Sequence, residues 1–121
     1  MISARTLLKH RPDIPAIISF HAQQCAEKML KAYLSAQGKH IEKTHNLTRL
    51  VKLCADIDDD FSQFFDIADE LSPYAVTTRY PDDWRPCSQS EAVAAVEKAD
   101  RIMNFILSKL KELNIEFKGL I

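Results

Sequence analysis

Glycine is almost missing from this chain: Gly38 and Gly119 are the only two in 121 residues. Hairpins and barrels use glycine at turns that require positive φ, so such scarcity restricts the chain to helices joined by few connections. The apolar spacing agrees, because hydrophobic residues recur at steps of three and four and nowhere alternate as a strand would. Hydrophobic residues make up 46% of the chain and charged residues 27%. That balance supplies a core at this length without a disulfide or metal staple. The expected fold is all-α, an up-and-down antiparallel bundle of four to five helices forming a single domain over residues 1–121.

Local signals divide the chain. A short opening helix is expected from Met1 to His10, closed before Arg11-Pro12. Asp13 is the expected N-cap of a second helix, with Pro15 in its first turn, where a missing N–H does no harm. That helix runs to about Gln37, with Ile14, Ile18, Cys25, Met29 and Ala32 as its expected inward stripe, and Gly38 supplies a left-handed stop. Leu47 to about Ala55 reads as a short helix with Leu47, Leu50, Val51 and Cys54 inward. After an acidic connector, Asp60 or Ser62 is expected to cap a helix carrying Phe61, Phe64, Phe65, Ala68 and Leu71, stopped or kinked by Pro73. Tyr74 to Cys87 is the longest irregular stretch. Ser88-Gln89-Ser90-Glu91 is a capping box opening the last helix. Its expected stripe is Val93, Val96, Ala99, Met103, Ile106, Leu110 and Leu113. No repeat near 34 residues occurs, which excludes a solenoid of that type.

Several function classes drop out. Cys25, Cys54 and Cys87 are odd in number and widely spaced, which suits neither a disulfide framework nor a zinc site and points to a reducing, cytoplasmic setting. There is no signal peptide and no apolar run near the roughly 20 residues that span a bilayer, so no membrane partner is expected. A glycine-rich phosphate loop, a histidine–acid metal spacing and a serine elbow are all lacking, so neither a metal nor a cofactor is expected. The net charge of −1 conceals an asymmetry: residues 1–53 carry +6, residues 54–83 carry −8 and residues 84–121 carry +1. Such a division suits an anion-binding face opposite an acidic one, or simply helix faces solvated by different charges.

Three segments carry polar groups of possible chemical use. His21, Gln24, Lys28 and Lys31 step by three or four along the second helix and so share a face. They could form one wall of a nucleotide or RNA site, since lysine attracts phosphate and histidine donates, accepts or titrates near neutral pH. The plainer alternative makes His21 an interhelical histidine and pairs Lys28 with an acid. In Thr44-His45-Asn46-Leu47, Asn46 or Thr44 is a natural N-cap, and His45 can orient the loop against the second helix or meet a ligand. Arg79-Tyr80-Pro81-Asp82 places a guanidinium fit for phosphate beside a ring fit for a base, on a loop stiffened by proline. Alternatively, Arg79 pairs with an acid while Tyr80 plugs the bundle end.

Phe20-His21-Ala22-Gln23-Gln24-Cys25-Ala26-Glu27-Lys28, Lys43-Thr44-His45-Asn46-Leu47 and Thr78-Arg79-Tyr80-Pro81-Asp82 together resemble the HEPN domain family. The resemblance extends from Phe20 to about Leu110 and rests on the order and spacing of the three motifs. It implies a helical bundle, commonly a homodimer, often encoded beside a minimal nucleotidyltransferase as a toxin–antitoxin pair. It further implies nucleotide or RNA binding, for which His21, Gln24, Lys28, Lys31, His45, Arg79, Tyr80 and Asp82 are the expected contacts on the reading of the residues themselves. The family's ribonuclease branch uses an arginine followed four to six residues later by a histidine. Arg79 stands in the corresponding region, but no histidine follows it; Arg5 and His10 meet the spacing only within the opening helix. Without that histidine the acid–base contribution of roughly 10²–10⁴-fold is lost by that route, which favours binding over cleavage. A non-catalytic interaction subunit, or a ribonuclease using His21 or His45 as a non-standard base, are the alternatives.

Overall fold

A computed structural model describes residues 15–75 and 88–113. The expected opening helix and the segment holding Arg79, Tyr80 and Asp82 lie outside the described residues. Four α-helices are described: α1 (Pro15–Ala36), α2 (Leu47–Ile57), α3 (Phe65–Leu71) and α4 (Gln89–Glu112). Two 3-10 segments, Asp59–Phe64 and Ser72–Ala75, flank α3, and there is no strand among the described residues. The fold is the all-α bundle that glycine scarcity and helical periodicity predict.

α1 begins at Pro15 and ends where the sequence requires. Gly38 takes φ 72°, its N–H donates to Ser35 O, and Lys39 N–H donates to Leu34 O, both at 3.0 Å. These two bonds satisfy carbonyls that would otherwise be stranded at the helix end. The inward face differs from expectation. Ile18, Ala22, Ala26, Met29, Leu30, Tyr33 and Leu34 are buried, together with the polar Ser19, Gln23 and Glu27. Cys25 and Ala32, expected inside, are only half-buried. The face is rotated because α1 packs most extensively against α4. Each helix offers alanines there, Ala22 and Ala26 on one and Ala92, Ala95 and Ala99 on the other, all buried. Small side chains let two helix axes approach closely, so the buried face keeps Ile18 and Met29 as expected but turns toward the alanines and away from Cys25 and Ala32.

α2 follows its sequence closely. Asn46 is the N-cap, its side chain accepting from Arg49 N–H at 3.1 Å, and Leu47, Leu50, Val51 and Cys54 are fully buried. The next cap is a correction. Asp58, not Asp60 or Ser62, accepts from Asp60 N–H at 3.0 Å, and the chain winds as a 3-10 segment before turning α-helical at Phe65. Phe61, Phe64, Ala68 and Leu71 are buried, but the change of pitch puts Ile67 inside and leaves Phe65 half-buried. α3 stops at Leu71 ahead of Pro73, and Ser72 Oγ donates to Ala68 O at 2.7 Å.

Ser88 caps α4 by accepting from Glu91 N–H at 3.1 Å, while the Glu91 carboxylate accepts from Tyr74 Oη–H at 2.9 Å. The buried row of α4 is Ala92, Ala95, Val96, Ala99, Ile102, Ile106 and Leu110. Of the expected stripe, Val96, Ala99, Ile106 and Leu110 are buried, whereas Val93 and Met103 are half-buried and Leu113 is 44% exposed, the face being turned toward the alanine row. Phe61 locks the assembly, its ring centroid 4.5 Å from Tyr33 and 5.0 Å from Phe105, the latter edge to face. Glu70 pairs with Lys98, so α3 runs antiparallel to α4 from the Phe64–Phe105 contact to the Tyr74–Glu91 bond.

Candidate functional site

Where the chain leaves α1 it doubles back, bringing His45 beside Glu27, a residue eighteen positions earlier. Glu27 is only 4% exposed. A carboxylate removed from water must be paired, and Glu27 has two partners. His45 Nδ1 lies 3.1 Å from its Oε1 and 3.0 Å from its Oε2, and Lys31 Nζ lies 3.2 Å from Oε2. A carboxylate accepts only, so Nδ1 carries the proton and Nε2 points away from Glu27. The His45 side chain is 77% exposed. The arrangement is an imidazole anchored on its buried side and open to solvent on the other.

Local structure sets His45 there. Thr44 Oγ1 accepts from Asn46 N–H at 3.1 Å, and Asn46 caps α2, so His45 stands at the entrance to that helix with its ring turned to α1. The N-terminal end of α2 contributes its partial positive charge nearby. One turn before Glu27, Gln24 Nε2 donates to Gln23 Oε1 at 2.8 Å. Gln23 is fully buried, and its Nε2 has no hydrogen-bond partner among the described residues.

The structure thus gathers Gln24, Lys31 and His45 around Gln23 and Glu27. Lys28 lies on the adjoining exposed face of α1, with no ion-pair or hydrogen-bond partner among the described residues. The acid imagined for it is therefore not present there. His21 is also exposed and touches Phe20 edge to face, with ring centroids 5.9 Å apart. It lies seven residues from Lys28, roughly 10 Å along the axis, so His21 stands apart from the Glu27 cluster. Arg79, Tyr80 and Asp82 are outside the described residues. Glu27 is the residue that sequence reasoning missed. Its signal was the series Gln23, Glu27, Lys31 at four-residue steps, placing an acid between Ala26 and Leu30 on the alanine face.

Surrounding cations divide into engaged and uncommitted. Arg49 forks onto Glu42 at 2.7 and 3.1 Å, which lowers the Glu42 carboxyl and raises the guanidinium. Lys52 pairs with Asp56 at 2.6 Å. Lys39 and Lys43, on the returning loop, are exposed and have no partner among the described residues. At the far end of that loop a shallow cleft of about 290 Å³ is lined by Leu34, Lys39, His40, Leu53, Asp56 and Ile57. Cys54 offers no nucleophile, because burial pushes its thiol up to about 12. Among the described residues no group of three or more histidines, cysteines and acids could hold a metal ion.

The HEPN domain model matches residues 1–112, nearly the whole chain. This protein belongs to the HEPN domain family. Comparison with curated proteins and with solved structures gave no match. Membership supports a nucleotide- or RNA-related module at the level of the family. No described helix of this HEPN domain is long and apolar enough to cross a membrane.

Proposed function

We propose that this HEPN domain, one domain over residues 1–121, binds the phosphate of a nucleotide or RNA on the face formed by α1 and the loop before α2. His21, Gln24, Lys28, Lys31 and His45 would contribute from that face, and Arg79, Tyr80 and Asp82 from the later loop. The domain would act as a cytoplasmic homodimer, paired with a minimal nucleotidyltransferase in a toxin–antitoxin-type couple. The observation carrying this reading is the anchored, solvent-open imidazole of His45, with Lys28 exposed on the same helix as Glu27 and without a partner among the described residues. Donors held in place before the ligand arrives favour binding, and the hold of Glu27 on His45 and Lys31 supports this reading. Calorimetric titration with adenosine nucleotides and short single-stranded RNA tests it. Saturable binding weakened by Lys28→Ala is expected, and no heat with any of them would refute it. Co-expression with the neighbouring genes tests the pairing, a co-purifying nucleotidyltransferase being the expected result.

One observation favours a second reading, a ribonuclease with a non-standard base. An imidazole backed by a carboxylate is the arrangement that proton transfer uses, and His45 has it where His21 does not. Intact RNA after prolonged incubation with the purified protein would rule this reading out.

A further inference from the structure

We propose that Glu27 is the positioning residue of the phosphate site: it holds Nδ1 of His45 so that Nε2 is the atom presented to the ligand. This inference rests on the phosphate-binding reading and assigns the contact within it. The loop carrying His45 has three ties besides Glu27. The paired bonds after α1 fix its start, the Glu42–Arg49 fork fixes its middle, and the Asn46 cap fixes its end. A carboxylate buried to 4% exposure is an expensive way to add a fourth tie. Placed directly beneath an imidazole that is 77% exposed, it does something the other three cannot. It sets the ring's rotamer and its tautomer together.

The second partner of Glu27 completes the geometry. Lys31 Nζ reaches the same Oε2 that His45 approaches, so the ring and the ammonium flank one carboxylate. Lys28 lies one turn before Lys31 on the same helix. Neither of the other exposed histidines of this region has such a restraint: His21 has only the edge of Phe20, and His40 lines the rim of the separate cleft. Gln23, fully buried next to this cluster, has an Nε2 without a partner among the described residues, a polar group suited to an ordered water. Fixing one side chain in its bound rotamer and tautomer before binding is worth up to about tenfold in affinity.

The test follows the histidine ring nitrogens by NMR during titration of the full chain with inorganic phosphate. In the wild type, His45 Nδ1 is protonated in the free protein, and added phosphate moves the Nε2 resonance of His45 most among the histidines. Glu27→Gln, which keeps the shape and an acceptor but removes the charge, weakens phosphate about tenfold and loosens the Nδ1 proton. Should that variant fold poorly, His45→Gln, whose amide can still donate to Glu27 but offers no Nε2, shows the same loss. If phosphate binds equally well to both variants, or shifts only His21, the assignment to Glu27 and His45 is overturned while the phosphate-binding reading stands. If the wild type does not bind phosphate at all, both fall.

Discussion

Salt dependence offers the sharpest numerical test of the phosphate face. Each lysine that neutralises a phosphate releases counterions, and for a single strand the slope of log K against log salt is about −0.7 per contact. Cations already committed to acids should contribute little. Arg49 and Lys52 are held by Glu42 and Asp56, and Lys31, though a proposed contact, is already neutralised by Glu27 and adds little to the slope, whereas Lys28, Lys39 and Lys43 have no partner among the described residues. These three contacts contribute about −2 to the slope, so through them alone affinity for a short single-stranded RNA should fall about 20-fold between roughly 50 and 200 mM salt, with Arg79 adding to the fall. Lys28→Ala should make the slope shallower by about 0.7 and the fall smaller by about threefold. Arg49→Ala should leave the slope nearly unchanged. Fluorescence anisotropy across a salt series measures all three proteins. A slope near zero, or one that Arg49→Ala reduces as much as Lys28→Ala does, would refute the division into engaged and uncommitted cations.

Other consequences bear on the scaffold. Lys109 bridges Asp58 at 2.9 Å and Asp60 at 2.8 Å while covering Phe105, so Lys109→Met should cost about 1 kcal/mol, water screening the pair. The Lys109 bond, with help from Asp60 N–H, holds the Asp58 carboxyl below its ordinary value. The gap between wild type and variant in urea melts should therefore be full above about pH 4 and close as acid protonates Asp58. Gln23→Met replaces a buried amide, whose Oε1 accepts from Gln24 and whose Nε2 has no partner among the described residues, by an apolar chain of similar size. Thermal melts should show it neutral or stabilising by up to about 1 kcal/mol, and a loss beyond about 2 kcal/mol would mean that Nε2 has a buried partner. With its thiol pushed up to about 12 and no exposure, Cys54 should resist iodoacetamide in the native protein. Mass spectrometry finding it alkylated as fast as in denaturant would contradict its burial.

Much of the architecture is legible residue by residue, because the deciding forces are local. Gly38 stops α1, Asn46 and Ser88 cap their helices, and Leu47, Leu50, Val51 and Cys54 turn inward, each through interactions within one or two turns. The acidic connector is harder. Asp58, Asp60 and Ser62 are all competent caps, and the choice depends on how the Phe61 ring reaches Tyr33 and Phe105. The site itself is legible only in part. His45 stands out in sequence, but its partner is eighteen residues away and looks like an ordinary surface glutamate on an amphipathic helix.

From its amino acids alone, this chain was bound to form capped helices in a known order and to place a basic, histidine-bearing segment ahead of an acidic one. Periodicity, end signals and family motifs act over short distances, and a linear reading captures them. Which arc of α1 faces inward was decided only by packing. Two arcs of that helix are comparably apolar, and the alanines of α4 select the one that takes Gln23 and Glu27 out of water. Once Glu27 is buried it needs partners, and that need is what fastens His45 and Lys31 into a common site.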